Sequence, residues 1–356
     1  MTGRSETNRP AAGERTLRER SGFLMLHHRR LTGGHRRAWP AIGLAFLVAC
    51  VTAGVAGSPI DALSAAPGAS HDGRFSTVNH PRAGTASGQG TFLNGINAHG
   101  VMVGDYVDPS SHNFGFFYRD GRFTPLNDPD AGTGVNQGTN PLTITSDGVV
   151  AGNYVDAAGS FHGFVLREGR YTTVDDPQGV NGTLVQGINE DGIVVGVFIG
   201  SDGTFHGFML RSGRYTTVDD ARAGTGPGAG TFLVGINNHG TIAADFTDSN
   251  GVAHGFLISS GRHGRPIDDP SAGHARGQGT DVFTINDSGV LAGQFVDGAG
   301  VTHGLRLRNG TFTTVDAPHG VFTSIQCINN GGDLVGYYID AAGVNHGLVV
   351  AANQDD

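Results

Sequence analysis

The chain has 356 residues, room for one large or two ordinary domains, and a formal net charge of −9. Glycine supplies 60 residues with no period of three, which excludes a collagen-like fibre and marks the glycines as turn and bulge residues. The charge is uneven: residues 1–37 hold nine Arg and three acids, the remainder 14 Arg and 29 acids. So acidic a body excludes non-specific nucleic-acid binding, which needs clustered cations.

Residues 1–57 read as an N-terminal signal or anchor segment. A polar, Arg-rich stretch precedes the apolar run Ala41-Ile-Gly-Leu-Ala-Phe-Leu-Val-Ala-Cys-Val-Thr-Ala-Gly-Val-Ala-Gly57. That run is glycine-interrupted and shorter than the ~20 residues of a comfortable span. Small residues at Val55-Ala56-Gly57 suit cleavage and release. Leu47-Val48-Ala49-Cys50 resembles a bacterial lipobox, which would lipidate Cys50 and tether the protein. An uncleaved anchor is the third alternative. Residues 58–72 are an Ala/Ser/Gly/Pro linker, and 352–356 a short polar tail.

The body, residues 73–351, repeats six times. Opening glycines fall at Gly73, Gly121, Gly169, Gly213, Gly261 and Gly310. An Ile-Asn turn recurs at Ile96-Asn97, Ile188-Asn189, Ile236-Asn237, Ile285-Asn286 and Ile328-Asn329, with Ile144-Thr145 in the second copy. A His-Gly pair recurs at His162, His206, His254, His303 and His346, with Phe114-Gly115 in the first copy. Each copy holds four short segments rich in Val, Ile, Phe, Tyr and Thr, divided by Gly, Asn, Asp and Pro, with no helical period. In one copy Thr231–Asn237, Thr241–Phe246 and His254–Ile258 are the first three strands. Arg214–Val218 shows the fourth. Tight turns join the four, and a longer link leads to the next copy. The expected fold is all-β: a six-bladed β-propeller of four-stranded antiparallel blades. The first copy begins with a lone fourth strand, Arg74–Val78, and the last stops after three, so the N-terminal strand should close the ring. A parallel β-solenoid is the alternative.

Trp39 is the single tryptophan, so propellers that need a Trp in every blade do not fit. The repeat instead resembles the bacterial extracellular HAF repeat family. The matching pieces are Gly235-Ile-Asn-Asn-His-Gly240, Val103-Gly-Asp-Tyr-Val-Asp108 and Val155-Asp-Ala-Ala-Gly-Ser-Phe-His-Gly-Phe164. The chain departs from the pattern at Phe114 and at Thr143–Thr145. The resemblance implies an exported bacterial repeat protein and carries over no catalytic residue.

Two residue sets bear on chemistry. The repeated His162, His206, His254, His303 and His346 read as strand-tying groups rather than metal ligands or catalysts, because wiring recurs in every blade. Asp108, Asp156, Asp248, Asp297 and Asp340 lie between the second and third strands. Asp128, Asp175, Asp176, Asp219, Asp220, Asp268, Asp269 and Asp316 lie in the links. In a propeller these loops share one face, so Asp108, Asp156, Asp176, Asp220, Asp248, Asp269, Asp297 and Asp340 are the candidate binding residues, with Ca2+ as a possible cofactor. The competing reading is turn capping by Asp side chains. No nucleophile elbow, phosphate loop or zincin motif occurs. Cys327 occupies a slot otherwise held by Gly or Thr and reads as a small core residue. The expectation is an exported, monomeric, non-enzymatic module that binds a glycan, a cell-wall component or a surface protein. It would touch a membrane only through its N-terminal segment. An extracellular polysaccharide hydrolase or lyase is the alternative, and would need copy-specific polar residues at the channel mouth.

Overall fold

The computed structural model describes residues 75–352. The N-terminal segment with Cys50, the linker and all but the first residue of the C-terminal tail lie outside them. The described residues are all-β, with no helix. Twenty-four strands, β1 (Phe75–Val78) to β24 (Asn345–Val350), fall into antiparallel sets that follow the sequence repeat. One set is β14 (Gly230–Ile236), β15 (Ile242–Thr247), β16 (Ala253–Ser259) and β17 (Arg262–His263), each paired with the next. The fourth strand shrinks to two residues here because Gly264 and Pro266 follow, and proline has no N–H for a ladder. Third and fourth strands meet in two-residue turns with positive φ at both positions, as at Asp120 (φ 48) and Gly121 (φ 78).

The incomplete ends meet. β1 pairs antiparallel with β24, in register from Phe75↔Val350 to Val78↔Gly347. β22 (Phe322–Ile328), β23 (Leu334–Ile339), β24 and β1 therefore form one four-stranded set from both ends of the body. The first strands of the sets pack on one another in turn: β2 (Gly90–Ile96) on β6 (Gly138–Ile144), then β10 (Thr183–Ile188), β14, β18 (Gly279–Ile285) and β22, and β22 on β2.

Two columns of side chains fill the space between sets. Phe116, Phe164, Phe208, Phe256, Leu305 and Leu348 of the third strands are almost wholly buried. Leu93, Val185, Leu233 and Ile325 of the first strands cluster with Phe116, Phe208, Phe256 and Leu348, and Val282 is equally buried. Each contributes about 1.5–3 kcal/mol of apolar burial. The glycine of His-Gly is the point where three segments converge. A Cβ on Gly163 would lie 2.5 Å from the Val185 side chain of the next set and 2.8 Å from the Val174 carbonyl oxygen. At Gly347 the same crowding involves the Val78 carbonyl and Leu93, residues from the opposite end of the body.

Candidate functional site

The turn between the second and third strands and the link after the fourth emerge on one face, and the repeated histidine ties them together. His162 Nδ1 lies 2.8 Å from Asp175 Oδ2 of the link, and its Nε2 lies 3.5 Å from Asp156 Oδ2 of the turn. His254 bridges Asp268 (2.8 Å) and Asp248 (3.8 Å), and His303 bridges Asp316 (2.7 Å) and Asp297 (3.6 Å). His346 bridges Asn79 (3.2 Å) and Asp340 (3.1 Å). His206 keeps Asp219 at 2.8 Å, but Gly200 stands where the turn aspartate would be. Each ring also stacks on an aromatic of the second strand, such as Phe246 under His254 with centroids 4.9 Å apart. The hydrogen bond and charge of Asp175 raise the pKa of His162, and those of Asp316 raise that of His303. The first repeat departs in a coordinated way. Phe114 replaces the histidine, and Asn127 replaces the link aspartate while still accepting the Gly115 N–H at 3.1 Å.

These carboxylates also close their own turns. Asp108, Asp156, Asp248, Asp297 and Asp340 each use Oδ1 to accept backbone N–H groups two and four residues on; Asp156 takes those of Ala158 and Ser160, both at 2.8 Å. Asp176, Asp220 and Asp269 differ from the turn aspartates in burial. They are 3%, 6% and 4% exposed and are not surface groups. Each is drawn inward by a hydrogen bond from its own N–H to a buried threonine hydroxyl of the following first strand, and its Oδ1 caps the next turn. Among the described residues no group of three or more His, Cys, Asp or Glu side chains is arranged to hold a metal ion.

Asp220 has the fullest set of partners. Arg222 grips it with Nε at 2.7 Å and Nη2 at 2.8 Å, and His263 Nδ1 lies 2.8 Å away. The guanidinium sits over Phe246 (4.8 Å) and Phe256 (5.3 Å) of the next set. Burial pushes the Asp220 carboxyl up, but the bonds from Arg222 and His263 outweigh it and hold the group well below the usual range.

The opposite face carries the Ile-Asn turns, whose side chains hand hydrogen bonds from repeat to repeat. Asn189 Nδ2 donates to the Asn237 carbonyl (3.2 Å), Asn237 to Asn286 (3.2 Å), Asn286 to Asn329 (3.1 Å), Asn329 to Asn97 (3.3 Å) and Asn97 to Thr145 (3.1 Å). Thr145 has no amide with which to continue. A second chain of bonds runs beside the first: Glu190 Oε1 accepts the Ser146 N–H at 2.8 Å, as Asn238, Asp287 and Asn330 side chains accept the N–H of Glu190, Asn238 and Asp287. Cys327 is free and partly buried, with Sγ 3.9 Å from the Ile96 carbonyl oxygen where two first strands come closest; burial pushes its thiol pKa up.

Sequence reasoning missed three acids inside the strands. Asp105 is 3% exposed and accepts a 2.9 Å bond from Asn94, yet burial raises its pKa to about 7. Asp245 accepts the Val282 N–H at 2.8 Å and is raised by burial and by the nearby Asp281. Asp281 accepts a 3.1 Å bond from Gln294, whose Oε1 is buried without a partner. The signal lay in aligning the repeats, since Asp105 and Asp245 share one place, held elsewhere by Asn153, Val197, Gln294 and Tyr337, and that of Asp281 is held by Phe92, Asn140, Leu184, Phe232 and Ser324.

No family model and no curated protein sequence matches this chain. Among solved structures it is similar to the fucose-specific lectin from Aleuria aurantia, at 12% identity and a TM-score of 0.44, over 63% of this chain and 76% of the lectin. It is also similar to TolB from Acinetobacter baumannii (11% identity, TM-score 0.46, 74% and 63%) and to a TolB from Agrobacterium tumefaciens (13%, 0.42, 72% and 79%). Overlays this loose carry no argument about ligand or activity.

Proposed function

We propose that this chain is an exported, non-enzymatic binding module of the HAF repeat type, built on a closed six-bladed β-propeller whose sixth blade is completed by the N-terminal strand. The β1–β24 pairing, the contact of β22 with β2 and the Asn329–Asn97 hydrogen bond support closure. Closure leaves no open sheet edge, which suits a monomer. The basic stretch and apolar run at the N-terminus support export, by release or through lipidation of Cys50.

The observation that carries the binding reading is where apolar surface remains. The exposed large hydrophobic side chains Val135, Val180, Val301 and Val321 all lie in links or in turns between second and third strands. That face holds a His–Asp contact in five of the six copies, while its links differ in length and sequence. Fixed wiring under variable loops is how a repeat scaffold presents a binding surface. Its partner is a glycan, a cell-wall component or a surface protein, with no nucleic acid. The test is an array of glycans and cell-wall polymers probed with the full chain in calcium and in EDTA. Binding should fall when Val180 is changed to Asp. A blank array removes glycans as the partner, and loss of binding in EDTA brings Ca2+ into the site.

A second reading, a polysaccharide hydrolase or lyase, draws on the Asp245–Asp281 pair, two neighbouring carboxyls of raised pKa at one junction between repeats. Release of reducing ends from such a polymer, abolished by Asp281→Asn, would establish it.

A further inference from the structure

Four junctions between repeats on the link face carry an inner aspartate, Asp128, Asp176, Asp220 or Asp269, and one of them displays its own occupant. At the Asp220 junction the carboxylate lies beside Phe246, Phe256 and His263 of the next set, and the guanidinium of Arg222 fills the space between them. At the preceding junction Asp176 takes the place of Asp220. Phe198, Phe208 and Tyr215 stand where Phe246, Phe256 and His263 stand, by the same strand register. Val174, just before the aspartates, packs with these three rings in one apolar cluster. The charge of Asp176 is felt by the Tyr215 hydroxyl. What differs is the filling, because the position of Arg222 is held by Gln178.

Gln178 does not replace the arginine. Its Nε2 donates instead to Thr217 Oγ1 at 3.2 Å, and both residues are exposed. Asp176 Oδ1 accepts the Gln178 N–H, and the Asp176 N–H donates to Thr183. Oδ2 has no partner, although the residue is only 3% exposed. A buried carboxylate oxygen left unpaired is costly. An aromatic wall with a carboxylate at its end is a receptor for a flat or compact cation.

We propose that the Asp176 junction receives a guanidinium or primary ammonium group of the binding partner, which enters as Gln178 swings aside and pairs with Asp176 Oδ2 over Phe198 and Phe208. The proposal rests on the binding-module reading and gives that face its ligand chemistry. The cation is seated as Arg222 is seated one junction further on. Val180, 68% exposed on the same link, offers apolar surface to the stem that carries the charge. Such a group comes either from an arginine or lysine of a protein or from an amino sugar.

The experiment is a thermal melt of the full chain titrated with methylguanidinium chloride far below denaturing concentrations, against sodium chloride of equal ionic strength. Parallel arms use an arginine-containing tripeptide and glucosamine. The midpoint should rise saturably by about 2 °C or more with methylguanidinium. A response to the tripeptide alone assigns a protein partner, and one to glucosamine alone an amine-bearing glycan. Asp176→Asn should abolish the response. Gln178→Arg, which supplies the guanidinium from within, should melt above wild type and no longer respond; it serves also if Asp176→Asn does not fold. Silence from wild type in every arm overturns the Asp176 site, as does an undiminished response in Gln178→Arg. Silence here together with a hit on the glycan array removes the Asp176 site and leaves the binding module standing.

Discussion

At the scale of single residues, two kinds of titrating group pull the same way. His162 and His303 hold their protons more tightly in the folded chain, chiefly through the hydrogen bonds to Asp175 and Asp316. A histidine whose pKa rises on folding stabilises most below its ordinary value near 6.5, and the contribution is lost as pH climbs through the raised value. His162→Gln and His303→Gln should therefore cost most at about pH 5.5 and little at about pH 8.5, read from urea midpoints. The side chains are partly exposed, so the effect is modest and shrinks in salt. Asp105 is a larger case. Its pKa of about 7 means that the folded state favours the protonated carboxyl, so stability is present at acid pH and is lost as pH rises toward and through 7. Asp105→Asn keeps an acceptor for Asn94 and removes the ionisation. The variant should match wild type near pH 4 and exceed it by on the order of 3 kcal/mol at pH 8. Equal urea midpoints at pH 8 would refute the assignment.

At the scale of elements, the Ile-Asn turn was legible as a mark of the repeat, but its job was not, because its partner lies in another copy, 43 to 49 residues away between consecutive copies. The same asparagine does two things. Asn237 Oδ1 accepts the His239 and Thr241 N–H groups within its turn, while Nδ2 crosses to Asn286. Asn237→Ala should cost about 1–3 kcal/mol, since it strands a buried carbonyl as well as the turn. Glu190 belongs to the second chain of bonds on this face, in which the side chains after Asn189, Asn237, Asn286 and Asn329 each accept an N–H from the preceding repeat. Glu190→Ala should cost about 1 kcal/mol. The slot shared by Gly95, Thr143, Gly187, Gly235, Thr284 and Cys327 reflects packing between neighbouring first strands. A Cβ on Gly235 would lie 2.9 Å from the Phe283 carbonyl oxygen, so Gly235→Ala should lower stability by about 1–3 kcal/mol.

At the scale of the whole molecule, strand count and order followed from periodicity alone, because turn residues and apolar runs recur on a fixed beat. The strand runs expected around residues 231–258 match β14, β15 and β16 to within about two residues. What periodicity could not reveal is which acids point inward. Asp176 and Asp175 are neighbours of one type, yet one is buried under the next repeat and the other faces a histidine at the surface. That difference is set by where the adjacent repeat packs, and no single copy contains the information. The lone strand at the start of the body supplies the sharpest global test. β1 covers the edge of β24 through four paired residues, and Val78 helps to bury Leu93 and Phe116. Removing residues 73–80 would expose the β24 edge and withdraw His80, which stacks on Tyr106 with ring centroids 3.8 Å apart. In a closed ring that loss falls on the junction where both ends of the body meet, so it spreads to the first and last repeats together. In a solenoid-like stack it would only fray one end. The deletion should give a chain that aggregates on size-exclusion chromatography or melts far below wild type, and a deletion variant that melts like wild type would rule out closure by β1.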